Sequence, residues 1–109
     1  MRTYLGEFEQ LLLFALLQLD DDAYGARIRE YIEARTGRTV SPGAVYTALD
    51  RLETRGLVSS ALGEPTPQRG GKRKRHYEVA ALGMKSLQAS YRSIRNMADG
   101  IEHLLGEPA

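Results

Sequence analysis

Residues Ser41 to Val58, reading SPGAVYTALDRLETRGLV, constrain the fold of this chain more than any other segment. Ser41 can accept from the free amides of a helix start, and Pro42 has the preset φ and missing donor that suit the first helical position. Val45, Leu49 and Leu52 then recur at spacings of four and three, so one face is buried while Gly43, Thr47, Asp50, Arg51 and Thr54 face outward. Gly56 supplies a stop. The pattern predicts a short helix with a small-residue N-terminus and a polar outer face. That is the shape needed to enter a DNA major groove, where bulky residues would hold a helix away from base edges. The same pattern also fits an amphipathic core helix.

The chain beyond this helix narrows the choice. Leu57 to Leu62 reads as a strand, Gly63 to Gly71 as a turn or loop, and Lys72 to Val79 as a returning strand, which makes a wing. Residues 66–79 hold five basic side chains against Glu78, a net charge of +4, whereas residues 1–65 net −3 and residues 80–109 are neutral. The chain's overall +1 therefore conceals a concentrated basic patch. Lys72, Arg73, Lys74 and Arg75 repel one another at a hairpin tip, and contact with a phosphate backbone that releases counterions would turn that cost into affinity. The alternative is a solvated loop that keeps the protein soluble.

Other elements precede and follow. Leu5, Phe8, Leu12, Ala15, Leu16 and Leu19 make one helical stripe and Leu11, Leu13, Phe14 and Leu17 fill other faces, so the first helix is expected to be buried on several sides. Asp22 can cap a second helix from about Ala23 to Arg35, with Tyr24, Ile28 and Ile32 inward and Gly37 at its end. Thr39-Val40 is expected to add a short strand to the wing sheet. In the last helix Met84, Leu87, Tyr91, Ile94, Ala98, Ile101 and Leu105 alternate spacings of three and four, a heptad seam that packs against another helix. The seam predicts a homodimer joined through this helix and the first one, although a tail folded back on its own domain fits too. Gly100 weakens the helix by up to about 1 kcal/mol relative to Ala.

Four ordered pieces of this sequence resemble the PadR family of transcriptional regulators: Leu5-Gly6 with Glu9 and the Leu11 to Leu19 block, Ala23-Tyr24-Gly25 with Ile28, Ser41 to Val58, and Lys72 to Val79. They span about three quarters of the chain. The resemblance implies a mainly α fold with a small β-hairpin: a winged helix-turn-helix domain over residues 1–80, a C-terminal dimerisation helix over 81–105 and a frayed tail over 106–109. Ala44 and Thr47 stand where the family often has Thr and Pro, so base preference belongs to this chain alone. Ala80 stands where Thr or Ser commonly caps the last helix.

Composition excludes other classes. At 109 residues and 42% hydrophobic content the chain can make one modest core, with apolar surface left for a partner. No apolar run reaches a membrane span's ~20 residues, and Glu7 and Glu9 before the leucine block argue against a signal peptide. The absence of cysteine suits a reducing compartment, and the cytoplasm is the expected location. His76 and His103 have no cysteine or spaced carboxylates to join, so neither catalysis nor a bound metal or other cofactor is expected. Asp20-Asp21-Asp22 is explained by helix capping and the macrodipole. Gly70-Gly71-Lys72-Arg73 lacks the earlier glycine of a phosphate loop.

The site residues follow. Gly43 and Thr47 are assigned to base edges, and Ser41 and Tyr46 to phosphate or sugar, Tyr46 having a rival reading as a core aromatic. Arg51 and Arg55 could reach phosphates or pair with nearby carboxylates, and Tyr24 is read as core. Lys72, Arg73, Lys74 and Arg75 are assigned to phosphate or the minor groove, with strand alternation allowing about half to act together. The dimer seam comprises Phe8, Leu12, Met84, Leu87, Tyr91, Ile94, Ala98, Ile101 and Leu105. The resemblance implies repression relieved by a small aromatic or cationic effector near the dimer interface. Phe8, Leu12, Met84, Tyr91, Ile94 and Met97 could line its pocket, and ordinary dimer packing explains them equally well. The reading is a repressor that binds double-stranded DNA as a homodimer on a palindromic operator. A winged-helix protein-interaction module and a shape-reading double-stranded RNA binder are the alternatives.

Overall fold

The computed structural model describes residues 4–63 and 73–106. Among these residues run α1 (Glu7–Leu19), a 3₁₀ turn at Asp20–Asp22, α2 (Gly25–Thr36), α3 (Pro42–Thr54), β1 (Val58–Leu62), β2 (Arg75–Val79), α4 (Ala81–Ala98) and a final 3₁₀ turn at Glu102–Leu104. Lys72, nearly all of the expected wing loop and most of the expected tail lie outside the described residues.

The three N-terminal helices surround one core. Leu12 and Leu13 of α1, Ile28 of α2, and Val45, Leu49 and Leu52 of α3 are fully buried, joined by Leu57 and by Tyr77 from β2. The spacing of Val45, Leu49 and Leu52 thus marks the inward face of α3, as expected. The first helix is less enclosed than expected, because Phe14 and Leu17 remain partly open to solvent.

α2 begins at Gly25 with Tyr24 at its N-cap, not with Asp22 as cap. The Asp22 carboxylate instead accepts from Arg27 Nε at 3.1 Å. Thr39-Val40 is not a strand. The Val40 amide is taken by Glu33 Oε2 of α2 at 2.9 Å, so it cannot join a ladder. The wing is an antiparallel pair, Val58 opposite Val79 through Leu62 opposite Arg75. Its outer edge is closed by the chain before α2: Tyr77 donates its amide to the Ala23 carbonyl at 2.9 Å, and Tyr24 bridges His76.

α4 leaves the wing at Ala80, which has no side-chain cap and donates its amide to the Leu57 carbonyl just before β1 at 3.0 Å. Leu87 is buried in the protomer core, and Phe14 of α1 meets Tyr91 edge to face at 6.0 Å. The helix stops at Ala98, short of the expected Leu105. Asp99 leaves the helical region with ψ 128° and Gly100 follows at φ 89°, a left-handed conformation, so the ladder ends there and Ile101 and Leu105 flank the 3₁₀ turn beyond. The heptad therefore does not continue as helix past Ala98.

Candidate nucleic-acid interface

The site starts at the N-terminus of α3. Ser41 Oγ accepts from the Ala44 amide at 3.1 Å, which satisfies one free donor and fixes the entry of the chain. Gly43 is exposed, and a Cβ built there would meet nothing within 4 Å. Its missing side chain is thus not demanded by packing within the chain; it leaves backbone open at the tip of the helix. Ala44 and Thr47 are also exposed, and Thr47, Asp50, Arg51, Thr54 and Arg55 line a shallow depression of about 400 Å³ on the outer face.

Tyr46 is 46% exposed, so it is not a core aromatic. Its ring lies across the start of α2, where a Cβ on Gly25 would fall 2.2 Å from the phenolic oxygen. Gly25 is the signal that sequence reasoning missed: it lets the two helices of the helix-turn-helix close on each other through Tyr46. Arg55 is drawn to α1, where Nη1 donates to Glu9 Oε2 at 2.7 Å. Glu9 Oε1 also accepts from the Gly6 amide at 2.9 Å, so one carboxylate ties the start of α1 to the end of α3. Arg51 forms no ion pair among the described residues.

The wing cations divide by strand alternation. Lys74 lies with its Nζ 4.1 Å from the centre of the Tyr24 ring, whose edge also meets His76 at 5.8 Å. Tyr24 is half-buried, so it stands at the boundary between core and surface. Arg73 Nε donates to the Gly63 carbonyl at 3.0 Å across the base of the wing loop. Arg75 turns to the other face, where Nη1 donates to Ser60 Oγ at 3.0 Å. Lys74 and Tyr46 thus both come to the first residues of α2, Lys74 through Tyr24 and Tyr46 through Gly25.

One ionisable group on the inner face is shifted. Burial raises the Tyr77 phenol above its usual range, and Asp50 on α3 adds to the effect. No group of three or more His, Asp or Glu able to hold a metal occurs among the described residues.

Helix-turn-helix, hairpin and trailing helix together match one family model. Described as the transcriptional regulator PadR-like family, it matches residues 13–89, well over half of the chain. The chain belongs to the PadR-like family of transcriptional regulators. Among solved structures, a PadR family transcription regulator from hypervirulent Clostridium difficile is 24% identical, covers 93% of this chain and 100% of its own, and superposes with a TM-score of 0.72. A PadR-like transcriptional regulator from Bacillus cereus is 20% identical over 93% of each chain, with a TM-score of 0.73. A transcriptional regulator from Clostridium thermocellum is 25% identical, covers 87% of this chain and 89% of its own, and gives 0.70. No curated protein matches the chain. The fold is the winged helix of PadR regulators, whose members regulate transcription through DNA and are not enzymes.

The expected dimer and effector residues are not all available on this PadR chain's surface. Leu12 is 0% exposed and Phe8 packs against the core, so Leu12 cannot line a pocket or a seam between copies. Tyr91, Ile94 and Met97 do stand on the surface. A groove of about 440 Å³ lies along α4 between Gln88 and Glu102, with Arg92 and Arg95 in its wall.

Proposed function

We propose that this PadR regulator is a cytoplasmic repressor that binds a palindromic operator as a homodimer. The observation that carries the reading is the unoccupied backbone at Gly43, at the capped tip of α3, in a fold whose cationic wing joins the same helix-turn-helix. Gly43 and Thr47 read base edges in the major groove. Ser41, Tyr46 and Arg51 approach phosphate or sugar beside them. Lys72, Arg73 and Lys74 follow the flanking backbone. A dimer is typical of the family, and the last two turns of α4 carry Tyr91, Ile94 and Met97 exposed to solvent, an apolar edge suited to a second copy. A small aromatic or cationic effector held near these residues in the dimer would alter the spacing of the two α3 helices and release the operator.

The test is selection of bound duplexes from a random-sequence library at about 150 mM salt, which suppresses much of the electrostatic background. The expected result is a twofold-symmetric motif with half-sites about 34–36 Å apart. A folded protein that enriches no motif would sink this reading and favour a protein-interaction module. Equal competition by unrelated duplex would point to shape and charge recognition alone.

A further inference from the structure

Arg75 differs from the cations beside it. Cross-strand partners share a face of the hairpin, so Arg75, opposite Leu62, lies on the face that also carries Ser60 and buried Tyr77. From there its guanidinium donates to Ser60 Oγ at 3.0 Å, and the Ser60 hydroxyl donates its proton to Glu53 Oε2 at 2.8 Å. A serine hydroxyl has one proton and two lone pairs, so both roles are filled at once. Glu53 belongs to the last turn of α3. One hydrogen-bonded chain therefore joins both strands of the wing to the recognition helix, with opposite charges at its ends.

We propose that Glu53 and Ser60 are positioning residues that, through Arg75, hold the wing at a set angle to α3, and that Arg75 serves this tether instead of contacting phosphate. The proposal rests on the DNA-binding reading above. An exposed ion pair contributes little to stability, so the effect of this chain falls on where the wing sits. Arg75 cannot reach outward to phosphate without giving up its bond to Ser60 Oγ and its link to Glu53 through that hydroxyl. Among the described residues Lys74 carries no such bond, and its ammonium lies on the Tyr24 side of the hairpin.

The experiment measures affinity for a library-selected duplex across a salt series, using the full chain and the variants K74Q, R75Q, S60A and E53A. Each phosphate contact contributes about 0.9 to the slope of log affinity against log salt. K74Q should reduce the slope by about that amount. R75Q should leave the slope unchanged while weakening affinity at least about threefold, with S60A and E53A doing the same. The double variant S60A/R75Q should be no weaker than R75Q alone. A slope lower by about 0.9 in R75Q, with S60A and E53A binding normally, overturns the tether. If the unaltered chain selects no duplex, the DNA reading fails and the tether is judged without DNA. Faster amide exchange at residues 74–76 in S60A and E53A would then support it, and unchanged exchange would overturn it.

Discussion

Gly25 and Tyr46 meet at closer range than any side chain larger than hydrogen would allow. The obstacle to a Cβ at Gly25 is the far end of a half-exposed ring, which can swing aside, so the cost of Gly25→Ala depends on Tyr46. Gly25→Ala is expected to lower stability by about 1–3 kcal/mol, the range for overpacking. In a Tyr46→Ala background the same change should cost much less, because the clash is gone. Urea midpoints of the four proteins check this, and equal costs in both backgrounds would show that the contact is not the cause. Tyr77 gives a second residue-scale expectation. Its folded-state pKa is raised by burial and then by Asp50, so its contribution is fully present below the unfolded value near 10 and is lost as pH rises through the folded value. Stability should decline above about pH 10, and Tyr77→Phe should flatten that decline. Denaturant midpoints from pH 7 to 11 decide it.

Where α4 leaves the wing, the helix is in backbone contact with Leu57, the residue just before β1. A Cβ on Gly83 would lie 2.0 Å from the Leu57 carbonyl oxygen, which also accepts from the Ala80 amide at 3.0 Å. Because the obstacle is backbone, Gly83→Ala must displace the start of α4. A loss of about 1–3 kcal/mol is expected in thermal unfolding, despite the better helix propensity of Ala. An unchanged or higher Tm would contradict this account of the junction. The contrast with α3 shows what sequence can disclose about an element. Ser41, Pro42 and the Val45-Leu49-Leu52 spacing act within a few residues, so the helix and its buried face were legible. The closure of the wing's outer edge was not, because it depends on the Ala23 carbonyl meeting the Tyr77 amide from fifty-four residues away. Nor was the end of α4 legible, since Ile101 and Leu105 keep the apolar spacing although Gly100 turns the backbone into a left-handed conformation. The wing cations were legible as a cluster, but their division between Tyr24 and Ser60 depends on register and on what packs beneath each strand.

At the scale of the whole molecule, shape and surface point to the same unpaired edge. The described residues have a radius of gyration of 15.6 Å and extents of 53 × 33 × 21 Å, whereas a compact domain of this length has a radius near ~13 Å. Ile94 is 58% exposed and Met97 82%, and Phe14 and Leu17 of α1 are partly exposed. Apolar side chains so arranged on an elongated monomer would be covered in a twofold dimer, in which the same patch serves both copies. Introducing charge there should separate the copies without unfolding them, because neither Ile94 nor Met97 belongs to the protomer core. Ile94→Glu combined with Met97→Glu is therefore expected to halve the mass in sedimentation equilibrium and to keep the helical circular dichroism signal. Each α3 would then meet a single half-site, and affinity for the palindrome should fall about a hundredfold or more, since the second contact is no longer intramolecular. Affinity for an isolated half-site should change little. If the double variant remained dimeric and bound the palindrome normally, the copies would join through another surface, and the exposed edge of α4 would serve a different partner.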